Sequence, residues 1–257
     1  MTSSPSQSAG SPASEGFASV AMVGFLLALL CAAALVTSGF GYRWGWWGLR
    51  GAFTMLKWSA YGGVVAGIAS LAGVIAAWLG AIRGDAKLAW IGLLVSLVVV
   101  GMPWTQLRRA RRAPPIHDIT TDTDHPPAFV AVLPLRASAP NKPDYGGAEI
   151  AAKQHLAYPD IQPALLALPP EQGFQRALAA ARDMGWEIVA TDSAGGRIEA
   201  TATTFWYGFK DDVVIRLTPS GRGTHVDVRS ESRVGGSDIG TNARRIREYL
   251  KKLGGVG

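Results

Sequence analysis

A chain of 257 residues with 48% hydrophobic and only 17% charged residues, at a mean hydropathy of +0.17, is more apolar than the average soluble domain with its ~25% charged residues. Its net charge of +6 divides evenly: five basic against two acidic residues precede Leu107 and twenty against seventeen follow it. Basic residues so diluted by acidic ones make a poor nucleic-acid binder, and a single cysteine excludes an internal disulfide.

The apolar excess lies before Trp104 and most of the charge after Leu107, which sets the main boundary. Residues 1–16 form a polar leader without Lys or Arg. Phe17 to Phe40 carries no charge, and at about 1.5 Å rise per residue it can cross a core roughly 30 Å thick. The run is too long and lacks the basic start of a removable signal peptide, so it reads as a retained span. Trp58 to Ile82 and Ala86 to Trp104 are the second and third spans, joined by the polar hairpin Arg83 to Lys87. Small residues at Ser59, Gly63 and Gly67, and again at Ala66, Ser70, Gly73 and Ala77, let a neighbouring backbone approach closely. They suit packing within the three-helix bundle or a dimer face. Cys31 follows Leu30, where lipid attachment needs a small residue, and reads as a packing residue.

Tyr42 to Phe53 is dense in Trp, Gly and Arg, a composition suited to the headgroup zone. Arg43, Arg50 and Lys57 flank this loop, and Arg108, Arg109, Arg111 and Arg112 follow the third span; only Arg83 and Lys87 lie on the other side. Seven against two places the amino terminus outside and the carboxy-terminal domain in the cytoplasm of a cell whose inner membrane holds the protein. The periplasmic placement is the alternative. No charged residue falls inside the spans to line a transport path.

Residues 107–153 read as a proline-rich extended connector, with a short strand at Ala128 to Leu133, because the paired prolines 114–115 and 126–127 break any helix. His117, Asp118, Asp122, Asp124 and His125 include metal-ligand types, but their spacing does not show convergence and Asx turns explain them equally. Residues 154–257 read as an α+β domain. Pro170 opens a helix with a stripe of Phe174, Ala177, Leu178 and Ala181, and Gly185 ends it. A strand follows at Trp186 to Asp192. Ile198, Ala200 and Ala202 alternate with Arg197, Glu199 and Thr201 as a half-buried strand. Two more strands bury Val213, Ile215 and Leu217, then Val226 and Val228. A last helix from Asp238 to Leu253 presents Ile239, Ala243, Ile246, Tyr249 and Leu250 on one side. The expected domain is a mostly antiparallel four-stranded sheet packed against helices.

The stretches "IHDITTDTDHPPAF", "YPDI", "FWYGFKDDVVIRL" and "RSESRVGGSDIGTNARRI" resemble the family catalogued as domain of unknown function 1499, over roughly Ile116 to Leu253. The triple-span anchor resembles that of a membrane-bound bacterial subgroup. Where the family pattern often has Asn-Cys-Val-Ser, this chain has Asn141, Lys142 and Pro143. The resemblance implies no activity.

Candidate ligand contacts gather near the end of the chain. His225, Asp227, Arg229, Glu231 and Arg233 share one strand face and read as a self-compensating exposed ladder. Alternatively, Arg229, Arg233 and Arg244 converge with Ser237, Asp238 and Asn242 at the last helix's amino terminus to hold an anion, although Asp238 competes for that position. Trp206 and Tyr207, in the aromatic bend Thr203 to Asp212, either pack on the sheet or face a ligand or membrane. Asp211 and Asp212 point to opposite faces and do not form an acid–base pair. No phosphate loop, zinc spacing or nucleophile elbow is present. The expected function is a non-enzymatic binding or scaffold module at the membrane surface, partnered by the bilayer, an anionic lipid or another membrane protein, with no cofactor or metal. The alternative is a lipid-modifying or hydrolase-like enzyme using Asp211, Asp238 and the nearby arginines.

Overall fold

The computed structural model describes residues 12–80, 86–221 and 223–254. Most of the leader, the Arg83–Asp85 part of the polar hairpin and Arg222 lie outside the described residues. Two compact units meet in sequence at Leu107 and Arg108.

The first unit holds α1 (Pro12–Arg43), α2 (Leu49–Trp78) and most of α3 (Ala86–Arg112). Each contains a segment long and apolar enough to cross a membrane. Their contacts run through small residues: Ser59, Gly63, Ala66, Ser70 and Gly73 of α2 are buried, as are Ala89, Gly92 and Ser96 of α3. A Cβ on Gly73 would lie 2.7 Å from Ala21 Cβ, so α1 and α2 approach at a distance only glycine permits there. The repeat of small residues thus serves packing within this bundle.

The helices run beyond the expected spans. α2 starts at Leu49 rather than Trp58, which reduces the expected Trp-rich loop to residues 44–48, and α3 continues through Pro103 and the arginines to Arg112. Apolar content marks where a helix crosses lipid, whereas the helix itself continues until glycine or paired proline stops it. Trp47 folds back, its Nε1 donating to Ser38 O at 3.0 Å, while Trp44 and Trp46 stay exposed.

The second unit is an antiparallel sheet of β1 (Asp118–Thr120), β2 (Ala164–Leu166), β3 (Glu187–Asp192), β4 (Arg197–Thr203), β5 (Lys210–Ser220) and β6 (Gly223–Ser232). β3 to β6 form a meander, and β1 and β2 both pair with the free edge of β6, at Arg229–Glu231 and Thr224–Val226 respectively. There are therefore six strands rather than four. Three-residue strands carry too little pattern to be read alone; each exists because β6 offers it an edge.

α5 (Pro170–Asp183) and α6 (Thr241–Leu253) cover one face of the sheet. Phe174, Ala177, Leu178 and Ala181 meet Ile198, Ile215, Leu217, Val226 and Val228, with Ile246 and Tyr249 from α6. Tyr249 stacks on Trp186 at 5.2 Å and its hydroxyl donates to Ala177 O at 3.1 Å. α6 begins three residues later than expected, because Gly240 adopts a left-handed conformation (φ 75°) before it.

The segment expected as a connector packs into this unit. No strand forms at Ala128 to Leu133; its end becomes a 3₁₀ turn, Leu133–Arg136, and α4 (Gly147–Ala157) follows. Gln154, fully buried on α4, clasps the outer edge of β1: Thr120 N donates to its Oε1 at 3.0 Å and its Nε2 donates to Thr120 O at 2.6 Å.

Candidate functional site

Strand alternation sends Glu199 and Thr201 of β4, Asp212 of β5, and Asp227, Arg229 and Glu231 of β6 to the face away from α5 and α6. All six are buried, because residues 121–143 lie across that face. The expected solvent-exposed ladder is instead an interior charge network, and β4 is buried on both faces. Glu199 accepts the amides of Val130 and Val132 at 3.0 Å, tying the covering segment to the sheet.

Three arginines and three carboxylates occupy the centre of this layer. Arg229 holds Asp118 with two parallel hydrogen bonds, at 2.9 and 2.8 Å, and donates to the carbonyls of Pro127 and Pro143. Arg233 holds Asp212 in the same way, at 2.9 and 2.7 Å. Arg136 bridges Asp212 and Glu231 at 3.0 and 2.9 Å. The ring of Phe129 lies 5.3 and 4.7 Å from the guanidinium carbons of Arg136 and Arg229. Glu231, fully buried, is near Arg136 and 3.6 Å from Arg229, but neither contact is aligned as a hydrogen bond. Burial, reinforced by the Asp118 carboxylate, pushes its pKa up to about 8 against the pull of both arginines. Burial likewise raises the Tyr145 phenol to about 12.

On the helix face, Arg245 pairs with Asp211 and donates to Ser230 Oγ and Asn242 Oδ1, while Asn242 Nδ2 reaches Ser232 Oγ and His117 O. Asp211 and Asp212 thus serve opposite faces.

The anion site expected from Arg229, Arg233 and Arg244 does not assemble. Arg229 and Arg233 lie on the sheet face opposite α6 and are consumed by carboxylates. Arg244 is half exposed and lies 3.9 Å from Glu248. Ser237, Asp238 and Asn242 do gather at the start of α6. Asp238 accepts the amides of Gly240 and Asn242 at 2.8 and 2.7 Å, and Ser237 Oγ donates to Pro114 O at 3.1 Å. Tyr207 is buried and stacks on Phe209 at 5.2 Å, with Trp206 edge-on to it at 4.9 Å; Phe205 beside them is 79% exposed. Asp122, Asp124 and His125 form a turn, the first accepting the amides of the other two while Arg216 holds it. Among the described residues no three His, Cys, Asp or Glu side chains are placed to hold a metal ion.

A concave place in this unit is a cleft of about 280 Å³ between Pro115–Asp118 on one side and Lys142–Ile150 on the other, with Gly236 at its rim. Lys142 and Asp144 are exposed, and among the described residues neither side chain has a partner. His117 Nδ1 is buried and also without a hydrogen-bond partner. Asp118 lines the cleft with its carboxylate held by Arg229. Sequence reasoning missed Lys142, Asp144 and Arg136, because residues dispersed in a proline-rich stretch give no periodic signal. Arg245 was legible: its spacing from Asn242, Ile246 and Tyr249 places it on the buried stripe of α6.

Fold and cleft together define an α+β sheet-and-helix domain, preceded in the chain by three helices long and apolar enough to cross a membrane. The chain belongs to the family described as Protein of unknown function (DUF1499), which matches residues 118–253. No curated protein matches it. The crystal structure of TTHA0849 from Thermus thermophilus is similar at 16% identity, covering 35% of this chain and 90% of that one, with a TM-score of 0.23.

Proposed function

We propose that this protein is a membrane-anchored, non-enzymatic binding module whose ligand enters the cleft lined by His117, Asp118, Lys142 and Asp144. The observation that carries the reading is the contrast between committed and free polar groups. Arg136, Arg229, Arg233 and Arg245 are held by Asp118, Asp211 and Asp212, whereas Lys142 and Asp144, which line one cavity with His117, have no partners among the described residues. Lys142 and Asp144 are exposed, so both charges are open to a group that enters the cavity. The enzyme alternative lacks such support, since Asp238 caps α6 and Asp211 pairs with Arg245.

The test is thermal unfolding of the full chain in detergent micelles against a panel of soluble lipid headgroups and small polar metabolites. At a hundred times its Kd, a cleft ligand adds about 2.7 kcal/mol to the stability of the unit that binds it. Gly236→Trp fills the rim, where an added Cβ meets nothing within 4 Å, and should abolish that gain while preserving the fold. A panel that leaves the wild type unmoved, or a gain that survives Gly236→Trp, would remove the reading.

A further inference from the structure

The charges in the cleft specify more than a cavity does. Lys142 and Asp144 stand two residues apart, carry opposite signs and line the same space, yet no ion pair joins them. Both are exposed, so each charge is open to a ligand in the cleft. His117 lines the same wall, its Nδ1 closed off and without a hydrogen-bond partner. Asp118 is already neutralised by the two hydrogen bonds from Arg229, so it adds polarity without a free charge. Ile116 and Ile150 supply the apolar part of the lining.

From this lining we infer that the ligand is a compact zwitterion, an ammonium and a phosphate or carboxylate joined by a short aliphatic linker. Its acidic group meets Lys142, and its ammonium meets Asp144. This rests on the cleft being the binding site. A simple anion would face Asp144 as a repulsive wall, and a simple cation would face Lys142 in the same way. A neutral ligand would strip water from both charges and return nothing. The volume, about 280 Å³, is just under the usual range for small-molecule sites and fits an amino acid or a phosphoethanolamine group rather than a nucleotide. Two sources offer this chemistry: the headgroup of a zwitterionic phospholipid, and a free zwitterion in the adjoining solution.

The experiment uses the full-length chain with labelled histidines in nanodiscs of phosphatidylglycerol, at fixed pH. The His117 ring resonance, assigned by its loss in His117→Gln, reports occupancy. Free O-phosphoethanolamine is titrated first, then its two halves, ethanolamine and glycerol 3-phosphate. In a second series phosphatidylethanolamine replaces part of the nanodisc lipid. Saturable movement with the free compound identifies a soluble zwitterion, and movement only with the phospholipid identifies a headgroup. Either supports the inference if Lys142→Ala and Asp144→Asn each raise the midpoint at least tenfold and neither half-molecule substitutes at tenfold higher concentration. Equal response to a half-molecule, unchanged midpoints in both variants, or no response to either source would overturn it. A stabilising panel compound that is not zwitterionic, and that Gly236→Trp excludes, would sink the ligand class while leaving the binding module standing.

Discussion

Glu231 shows how far a single side chain's behaviour departs from its sequence context. Alternating signs along β6 read identically whether the face is solvated or covered, and the cover comes from residues about a hundred positions earlier. Which residues share the face was legible; that the face is interior was not. Removing one partner from such a pair leaves an uncompensated buried charge, so Arg229→Met should cost about 3–5 kcal/mol in chemical denaturation. Arg244→Ala, at a half-exposed surface pair, should stay within about 0.5 kcal/mol. Glu231 adds a pH dependence. Its folded pKa of about 8 lies above the ordinary carboxylate value, so between roughly pH 4.5 and 8 the folded chain keeps a proton that the unfolded chain has lost. Stability therefore falls as pH rises through that window. Glu231→Gln should match wild type near pH 5 and exceed it by at least about 1 kcal/mol at pH 8, where each pKa unit is worth about 1.4 kcal/mol. A difference that does not change with pH would mean that Glu231 is ionised in the fold and that Arg136 governs it.

Among the elements, α5 and α6 were legible because long amphipathic helices repeat their signal several times, and Pro170 and Gly185 mark the ends of one of them. β1, β2 and α4 were not, since each depends on a partner distant in sequence. Gln154 makes the point physically: its carboxamide acts as a neighbouring strand would, satisfying both the amide and the carbonyl of Thr120 on the buried edge of β1. Gln154→Ala strands both groups, at about 1–3 kcal/mol for each buried group left unpaired. The Thr120 amide should then exchange with solvent far faster than in wild type, while amides in the middle of β5 keep their protection. Uniform loss of protection would instead make α4 part of the global folding unit. The start of α6 carries a smaller effect. Asp238→Ala removes the acceptor for Gly240 N and Asn242 N and should cost about 1 kcal/mol, with Asp238→Asn recovering most of it.

For the whole molecule, the distribution of basic residues leads to a prediction of sidedness. Within a bilayer, seven Lys or Arg residues follow the first span or the third, against Arg83 and Lys87 between the second and third. The helices extend this asymmetry rather than blur it, because α2 carries Arg50 and Lys57 in its first turns and α3 carries Arg108 to Arg112 in its last. Basic residues this close to span ends set orientation, and each contributes about 1 kcal/mol of attraction to an anionic inner leaflet. The amino terminus is therefore expected outside and the sheet domain, with its cleft, in the cytoplasm. The measurement is a pair of fusions after Gly257, one to a fluorescent reporter that matures only in the cytoplasm and one to a phosphatase that works only after export. Fluorescence without phosphatase activity would place Lys142 and Asp144 on the cytoplasmic side, in the compartment of cytosolic zwitterions and inner-leaflet lipids. Phosphatase activity without fluorescence would reverse the orientation. The basic residues flanking α2 and α3 would then face the envelope, and the ligand search would move to zwitterions of that compartment, with the chemistry of the cleft unchanged.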